Sequence, residues 1–425
     1  MGDRKKVNVE RDRLSSLGDD LIHKILSLVS TKHAVETSVL SSRWRYIWTS
    51  ISYLSLSSND FCTLLKFSEF VTHVLSGRNN QIEVFSVELT FHRKVSRALF
   101  KRILDYAFSH NVQQLNVTYL PGKKTKFPVS LFSSQSLKHL ALIGCIYGHF
   151  ITTPPTWELP ALVTLSLYRV TLYDDYTNKC ASLFSNCANL KNLTIKRCRM
   201  MAPNGFNVSH PGLTSLTFED GCKRVNVDTP QLKNLTIKDW RGMHLICAPI
   251  LSSLHYKDPY FIHRNDIETF FDDVLVDNGL LQLSTHLLHL EKVEICIHHL
   301  YGDKAYTHKI VCLLQKLHSV KSLTLNWEII KLLTSSMVPS PFANLESVTI
   351  FPAFLEGPEV TISSEVKNYL LDDSPNATFT MILHQRKIRK ELTRVPRSQL
   401  AKLQARFSSL CAEADNIMDD MMVLD

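Results

Sequence analysis

No run of eighteen apolar residues occurs in this 425-residue chain, so no helix that crosses a bilayer is expected. Glycine is scarce, 13 in all, and the glycine-rich loops that cradle phosphate are missing: there is no G-x-x-x-x-G-K-[ST] and no G-x-G-x-x-G. The H-E-x-x-H and G-x-S-x-G arrangements are missing too. Ten cysteines stand at 62, 145, 180, 187, 198, 222, 247, 296, 312 and 411 with no C-x-x-C pair, which argues against a zinc ribbon or a dithiol redox site. His298 and His299 follow Cys296 closely, but adjacent strand residues face opposite ways, so no shared metal is expected. The opening residues Met1 to Lys6 lack the apolar core of a signal peptide, and Lys6 occupies the place where a myristoylation motif needs Ser or Thr. The cysteines are therefore expected to be reduced, and triplets such as Asn192-Leu193-Thr194 and Asn234-Leu235-Thr236 unglycosylated. No catalytic residue, cofactor or metal is expected.

The chain is 44% hydrophobic with a mean hydropathy of −0.04, an ordinary soluble composition with room for two or three domains. Its net charge of +8 owes much to residues 386–406, where eight basic residues face one acidic. No nucleic-acid-binding motif accompanies them, so they read as a solvated tail. Arg386-Lys387-Ile388-Arg389-Lys390 also fits a nuclear localisation pattern. No nucleic acid and no membrane is expected among the partners, and the expected compartment is the nucleus or cytoplasm.

One phrase recurs beyond residue 80: L-x-x-L-x-L. It appears at Leu137-Leu140-Leu142, Leu162-Leu165-Leu167, Leu190-Leu193-Ile195, Leu213-Leu216-Phe218, Leu232-Leu235-Ile237, Leu251-Leu254-Tyr256, Leu290-Val293-Ile295, Val320-Leu323-Leu325 and Leu345-Val348-Ile350, with weaker copies from Ile82 and Val112. Periods of 20–29 residues with this phrase mark leucine-rich repeats. Alternation within a strand sends the fourth and sixth positions into the core and the fifth and seventh to the concave face. The expected fold is thus α/β: a solenoid of parallel strands with irregular helical or extended returns. Ser96–His110, Tyr173–Cys187 and Lys304–Leu317 read as return helices. The 19-residue steps between Leu213 and Leu251 leave space only for extended or turn-like returns. Arg264–Leu290 reads as an insertion, and Phe61–Leu75 as a helix capping the open end. Cys145 and Cys198, at the ninth position, are expected to bond neighbouring backbone. The seventh positions offer candidate substrate contacts: Tyr168, Lys196, Glu219, Lys238, Lys257 and Asn326, with the three lysines forming a basic column suited to an acidic or phosphorylated segment.

Residues 11–54 hold more apolar surface than so short a segment can hide. Leu14, Leu17, Leu21, Ile25 and Leu28 follow one helical face, and Ile22, Leu26 and Val29 a second. A helix apolar on two sides is buried on both or offers one to a partner. Thr31 is the expected N-cap of a second helix, and Ser41 or Ser42 of a third carrying Trp44 and Trp48. The order D-R-L-S-x-L-x-D-D-L-I-x-x-I-L-S, then S-T-K-x-A-x-x-T-S-V-L-S-x-R-W-R-x-x-W, from Arg13 to Trp48, resembles the F-box of plant F-box/leucine-rich-repeat proteins. The resemblance implies a three-helix module that docks on a Skp-type adaptor and through it on a cullin-based ubiquitin ligase, with a protein substrate held by the repeats. The residues it points to for the adaptor are Leu17, Leu21, Ile22, Ile25, Leu26, Trp44 and Trp48. Gly18 and Ser30 stand where the family has proline, which leaves a second reading open: a binding scaffold whose F-box no longer engages the ligase.

From Pro341 a strand (Leu345–Phe351), a helix (Ser363–Leu371), a turn at Asp373-Ser374-Pro375 and a strand (Ala377–Leu383) are expected. E-V-K-N-Y-L-L and A-T-F-T-M there resemble the FBD region that follows the repeats in plant F-box proteins. Leu403, Phe407, Leu410, Ala414, Ile417 and Met421 then step as a helical tail. The expected divisions are 8–56 for the F-box, 57–340 for the solenoid, 341–385 for the last repeat and FBD-like cap, and 386–425 for the basic, then acidic, tail.

Overall fold

The structure, a computed structural model, describes residues 17–381 apart from 121–124, 146–150, 155–156, 173–183, 201–205, 223, 242–243, 259–280, 284–287, 298–303, 336–338 and 352–363. The apolar stretch of the insertion (Ile267–Leu275), most of the return over Tyr173–Cys187, the His298-His299 pair and the tail from 386 lie outside the described residues.

The chain opens with α1 (Asp19–Leu26) and α2 (Thr31–Glu36), followed by short 3-10 turns at Thr37–Val39 and Ile47–Ser50. Strand β1 (Tyr53–Ser57), α3 (Leu64–Gly77), β2 (Ser86–Phe91), α4 (Arg97–Ser109) and β3 (Gln114–Tyr119) start the solenoid. The strands of the main sheet continue as β4 (His139–Ile143), β5 (Thr164–Tyr168), β6 (Asn192–Lys196), β7 (Ser215–Cys222), β8 (Asn234–Arg241), β9 (Ser253–Lys257) and β10 (Lys292–Cys296). Helix α5 (Lys304–Gln315), β11 (Ser322–Asn326), α6 (Trp327–Ser335), β12 (Ser347–Phe351), α7 (Ser364–Leu371) and β13 (Thr378–Met381) complete it. All thirteen strands form one parallel sheet, each paired with its neighbours in sequence.

The phrase explains the sheet. First, fourth and sixth positions are buried throughout: Leu190, Leu193 and Ile195 are at most 1% exposed, as are Leu213, Leu216 and Phe218. Each such side chain contributes roughly 1.5–3 kcal/mol, and each repeat's apolar layer is covered by the next. The 19-residue steps do yield extended returns. Val225–Asp228 and His244–Cys247 lie in these steps and, with Phe206–Ser209 from the longer step before them, pair in register as strands of a second parallel sheet. The longer steps accommodate α4, capped by the Ser96 hydroxyl on Leu99 N–H, and α5. Cys198 Sγ lies 3.4 Å from the Leu167 carbonyl oxygen, as expected of a ladder residue, and burial pushes its thiol up to about 12.

Four sequence expectations need correction. The first weak copy starts at Val84, not Ile82: Val84, Val87 and Leu89 are buried while Phe85 is 47% exposed. The phrase also occurs earlier, as Ile51-Leu54-Leu56, and makes β1. Helix α3 does not cap the open end; it is the return between β1 and β2, burying Phe67, Val71 and Val74. The open edge is covered by the helical module itself, where Thr31 Oγ1 accepts a hydrogen bond from the edge N–H of Ser55. Ser30, not Thr31, therefore caps α2, and the third helix is reduced to the 3-10 turn at Ile47–Ser50.

Module and solenoid join without a linker. Ile51 closes the small core of the module (Ile22, Leu26, Ala34, Trp44, Ile51) while Leu54 and Leu56 begin the large one. Trp48 packs against both and lies over Gly77, where an added Cβ would meet its ring at 3.2 Å. Beside it Arg78, only 4% exposed, donates from Nη2 to the Ile51 carbonyl and from Nε to Tyr106 Oη at 3.3 Å. Burial lowers its pKa. It is a buried cation held by neutral acceptors, with Asn79 N–H bonded to Thr49 O nearby.

Candidate functional site: two interaction surfaces

The first surface lies on the helical module. Asp19 and Asp20 favour the N-terminus of α1 through the helix dipole, and Asp19 pairs with Arg43 at 2.6 Å. Of the residues expected to meet an adaptor, Leu21 and Ile25 are 55% and 42% exposed, and Leu28 beyond them is 82% exposed. Leu17 and Trp48 are half-buried. Ile22, Leu26 and Trp44 are at most 3% exposed: these three are the module's core and present no surface to a partner. The helix thus buries one apolar face and leaves the other bare. Among the described residues, seven of the eleven exposed large hydrophobic side chains belong to this short module: Leu21, Ile25, Leu28, Val29, Val39, Leu40 and Tyr46. The contributions of Val39, Leu40 and Tyr46 were not read from the sequence, although apolar residues in so short a segment were the available signal.

The two departures from proline are accommodated. Gly18 sits at φ −65° and ψ 150° as the N-cap of α1, the φ that proline itself imposes. Ser30 sits at φ −62° and supplies its hydroxyl to His33 N–H, a cap proline lacks the side-chain oxygen to make.

The second surface is the concave face of the sheet. Tyr168, Lys196, Glu219, Lys238 and Lys257 stand in one register row across β5 to β9, all half-exposed. The row is no uniform basic column. Lys196 pairs with Glu219 at 2.7 Å, Arg197 with Asp220 at 2.5 Å and Lys257 with Asp239 at 3.8 Å. Asn326 leaves the row altogether. It is fully buried, donating from Nδ2 to Ile297 O and Glu328 Oε2 and accepting from Ile297 N–H. The chain turns from β11 straight into α6, so that its seventh position is covered instead of open; Cys296 is likewise buried.

Four successive strands carry a residue of positive φ at the same place: Arg169 (56°) and Arg197 (51°) directly follow β5 and β6, and Asp220 (54°) and Asp239 (49°) stand at the corresponding positions within β7 and β8. Such a conformation costs an L-residue about 1–2 kcal/mol. The row lines the rim with charged groups. The Arg169 guanidinium lies over the Tyr168 ring, 4.9 Å from its centroid. Among the described residues no three His, Cys, Asp or Glu side chains gather as a metal site, and no helix is long and apolar enough to cross a membrane.

Comparison with known proteins agrees with this division. The F-box domain pattern matches residues 14–56, and a repeat pattern described as "FBD-associated F-box protein At5g56370, LRR repeats" matches residues 100–277. The chain thus carries an F-box followed by leucine-rich repeats of the kind found in plant FBD-associated F-box proteins. The chain is 29% identical to the Arabidopsis thaliana "F-box protein At1g60400" over 289 residues, 63% of this chain and 65% of that protein. The "Putative FBD-associated F-box protein At5g22720" of the same plant is 32% identical over 244 residues, 54% of this chain and 50% of that protein. For "F-box/FBD/LRR-repeat protein At3g26920" the figures are 31% over 210 residues, 48% and 46%. The chain spans about half to two thirds of the length of these relatives.

Proposed function

We propose that this chain recruits substrates to a Skp–cullin–F-box ubiquitin ligase: the F-box docks a Skp-type adaptor, the adaptor links to a cullin, and the concave face of the repeats holds a protein to be ubiquitinated. The observation that carries the reading is the bare apolar face of α1, Leu21 and Ile25, continued by Leu28 just past its end, on a module whose own core is already closed. Exposed apolar surface concentrated in this way marks a protein contact. In this reading the chain contributes proximity, not catalysis, and works in the nucleus or cytoplasm. The proline-like φ of Gly18 and the Ser30 cap support an F-box that still engages its adaptor over one that has lost it.

A pull-down of the full chain with a purified Skp-type adaptor tests this. Wild type is expected to bind. Leu21→Asp and Ile25→Asp, both at exposed positions, are each expected to lose at least tenfold in affinity, about 1.4 kcal/mol or more, with unchanged circular dichroism. A wild-type chain that fails to bind sinks the proposal.

A further inference from the structure

The concave face changes character across β8, β9 and β10. From Ala141 to Thr380 the fifth strand position is Ala, Ser or Thr in every main-sheet strand except two, which carry His255 and Glu294. The register sets His255 between Thr236 and Glu294, with Nδ1 3.0 Å from Glu294 Oε2. Lys257 lies two residues along on the same strand. Lys238 is paired with Lys257 on one side, and Lys292 with Ser253 on the other. Diagonal neighbours in a sheet are about 7–8 Å apart, so three lysines from three strands ring one imidazole. Burial first, and then Lys238, Lys257 and Lys292, push His255 toward its neutral form.

Elsewhere on this face cations are matched closely, by Glu219 and Asp220. Here the matching is poor. Lys238 and Lys292 make no ion pair among the described residues, and the Lys257–Asp239 contact at 3.8 Å is the longest of the three on the rim. Glu294 is engaged by His255, and Glu291 beyond Lys292 is taken by Lys321 at 3.0 Å. Asp258 follows Lys257 at the rim.

We infer that Lys238, Lys257 and Lys292 form the seat for a phosphorylated serine or threonine side chain of the captured protein. The inference rests on the repeats being the substrate surface. A phosphate carries close to two negative charges and three acceptor oxygens. Lysine ammonium groups on flexible stems reach one such ion from three strands at once, whereas a carboxylate offers one charge and two oxygens to the same three donors. The Ser and Thr floor on either side supplies hydroxyls to the main chain of an extended segment.

The test uses the full-length chain and three immobilised peptide libraries with degenerate flanks, fixed at the centre as phosphoserine, serine or glutamate. Wild type is expected to be retained at least tenfold more on the phosphoserine library than on either other. Lys238→Glu/Lys292→Glu is expected to lose that preference and Lys238→Arg/Lys292→Arg to keep it, while Lys101→Glu, exposed on α4 and away from the concave face, leaves it unchanged. Equal retention on the glutamate library, no retention by wild type, or full retention by the double reversal each overturns the inference. Adaptor pull-down on the same preparations separates the two readings. The double reversal should bind adaptor as wild type does, and a chain that selects phosphoserine without binding adaptor would keep the seat while losing the ligase role.

Discussion

The F-box and the solenoid dispose of apolar surface in opposite ways. The solenoid has a repeat phrase that buries three side chains per turn and covers each layer with the next, so that its core runs unbroken from Leu54 to Leu370. The F-box closes a core of five buried residues and leaves a larger set of hydrophobic side chains in solvent. A module of that size rarely stands alone. Here it leans on the solenoid through Trp48, Thr31 and Arg78, and in return covers the sheet's first edge. The lesson is that bare apolar surface and edge cap are two sides of one short segment: the face of the F-box toward β1 is structural, and the face away from it is exposed.

The largest effects should come from the two cores, and they should differ in reach. Leu→Ala at a fully buried site costs about 2–5 kcal/mol. Leu216→Ala in the middle of the sheet is expected to lower the main thermal transition of the whole chain. Leu26→Ala carries a similar local cost in a far smaller core, so it is expected to open the F-box to limited proteolysis and abolish adaptor capture while the solenoid's transition moves little. If Leu26→Ala lowers the main transition as much as Leu216→Ala, the two regions are one cooperative unit and the contrast is broken.

Arg78 decides how strongly they are coupled. Its guanidinium is buried without a carboxylate and holds the Ile51 carbonyl on one side and Tyr106 Oη on the other. Arg78→Ala leaves a buried carbonyl unsatisfied, at about 1–3 kcal/mol, and removes packing beside Trp48. The expected outcome is a single melting transition that splits in two, read by tryptophan fluorescence against circular dichroism. A melt that shifts without splitting would place the coupling elsewhere, in Trp48 or the Thr31–Ser55 bond.

Acid should sharpen the same comparison. His244, on the second sheet, is fully buried, and desolvation pushes its imidazole down to about 4, only partly offset by the Trp240 backbone. Neither ring nitrogen makes a hydrogen bond of normal geometry. At pH 7 the group is neutral in both folded and unfolded chains, and its full contribution is present. As pH falls below about 6.5 the unfolded chain takes up the proton first, and stability declines until about pH 4, by roughly 3 kcal/mol. The described histidines of the F-box, His23 and His33, are not buried. Melts at pH 7.5 and 5 are therefore expected to show the solenoid losing more than the F-box, and His244→Phe to narrow that difference, with His255 and His210 keeping part of it.

The strands were legible because burial at the fourth and sixth positions admits no substitute for an apolar side chain. The misreadings have physical causes. In the run from Ile82 to Leu89 two frames of alternation compete, and only packing against Val112 and Leu115 selects Val84. Asn326 looks like a surface residue until the chain's turn into α6 covers it. The left-handed row was illegible where it holds Arg169 and Arg197, which carry no turn signature, although Asp220 and Asp239 belong to a type more often found there. Which apolar face of α1 is bare could not be read from periodicity, since both are leucine- and isoleucine-rich; it follows from where Trp44 and Ile51 pack.

The smallest expected effect concerns Gly18. Its φ of −65° is already proline's, an added Cβ meets nothing within 4 Å, and its N–H donates no hydrogen bond among the described residues. Gly18→Pro should therefore leave the folded F-box unchanged and act on the unfolded chain, removing conformations that folding must otherwise restrict, for a gain of about 0.4–1 kcal/mol. The same change at Ser30 has an acceptable φ but removes the hydroxyl that caps α2, at a cost of about 1 kcal/mol that offsets the entropic gain. Adaptor titrations by calorimetry are expected to show Gly18→Pro binding up to several-fold more tightly than wild type and Ser30→Pro no more tightly. An equal gain from both prolines would mean that the Ser30 hydroxyl contributes nothing to the F-box fold, and that chain stiffness alone sets the effect of proline at both helix starts.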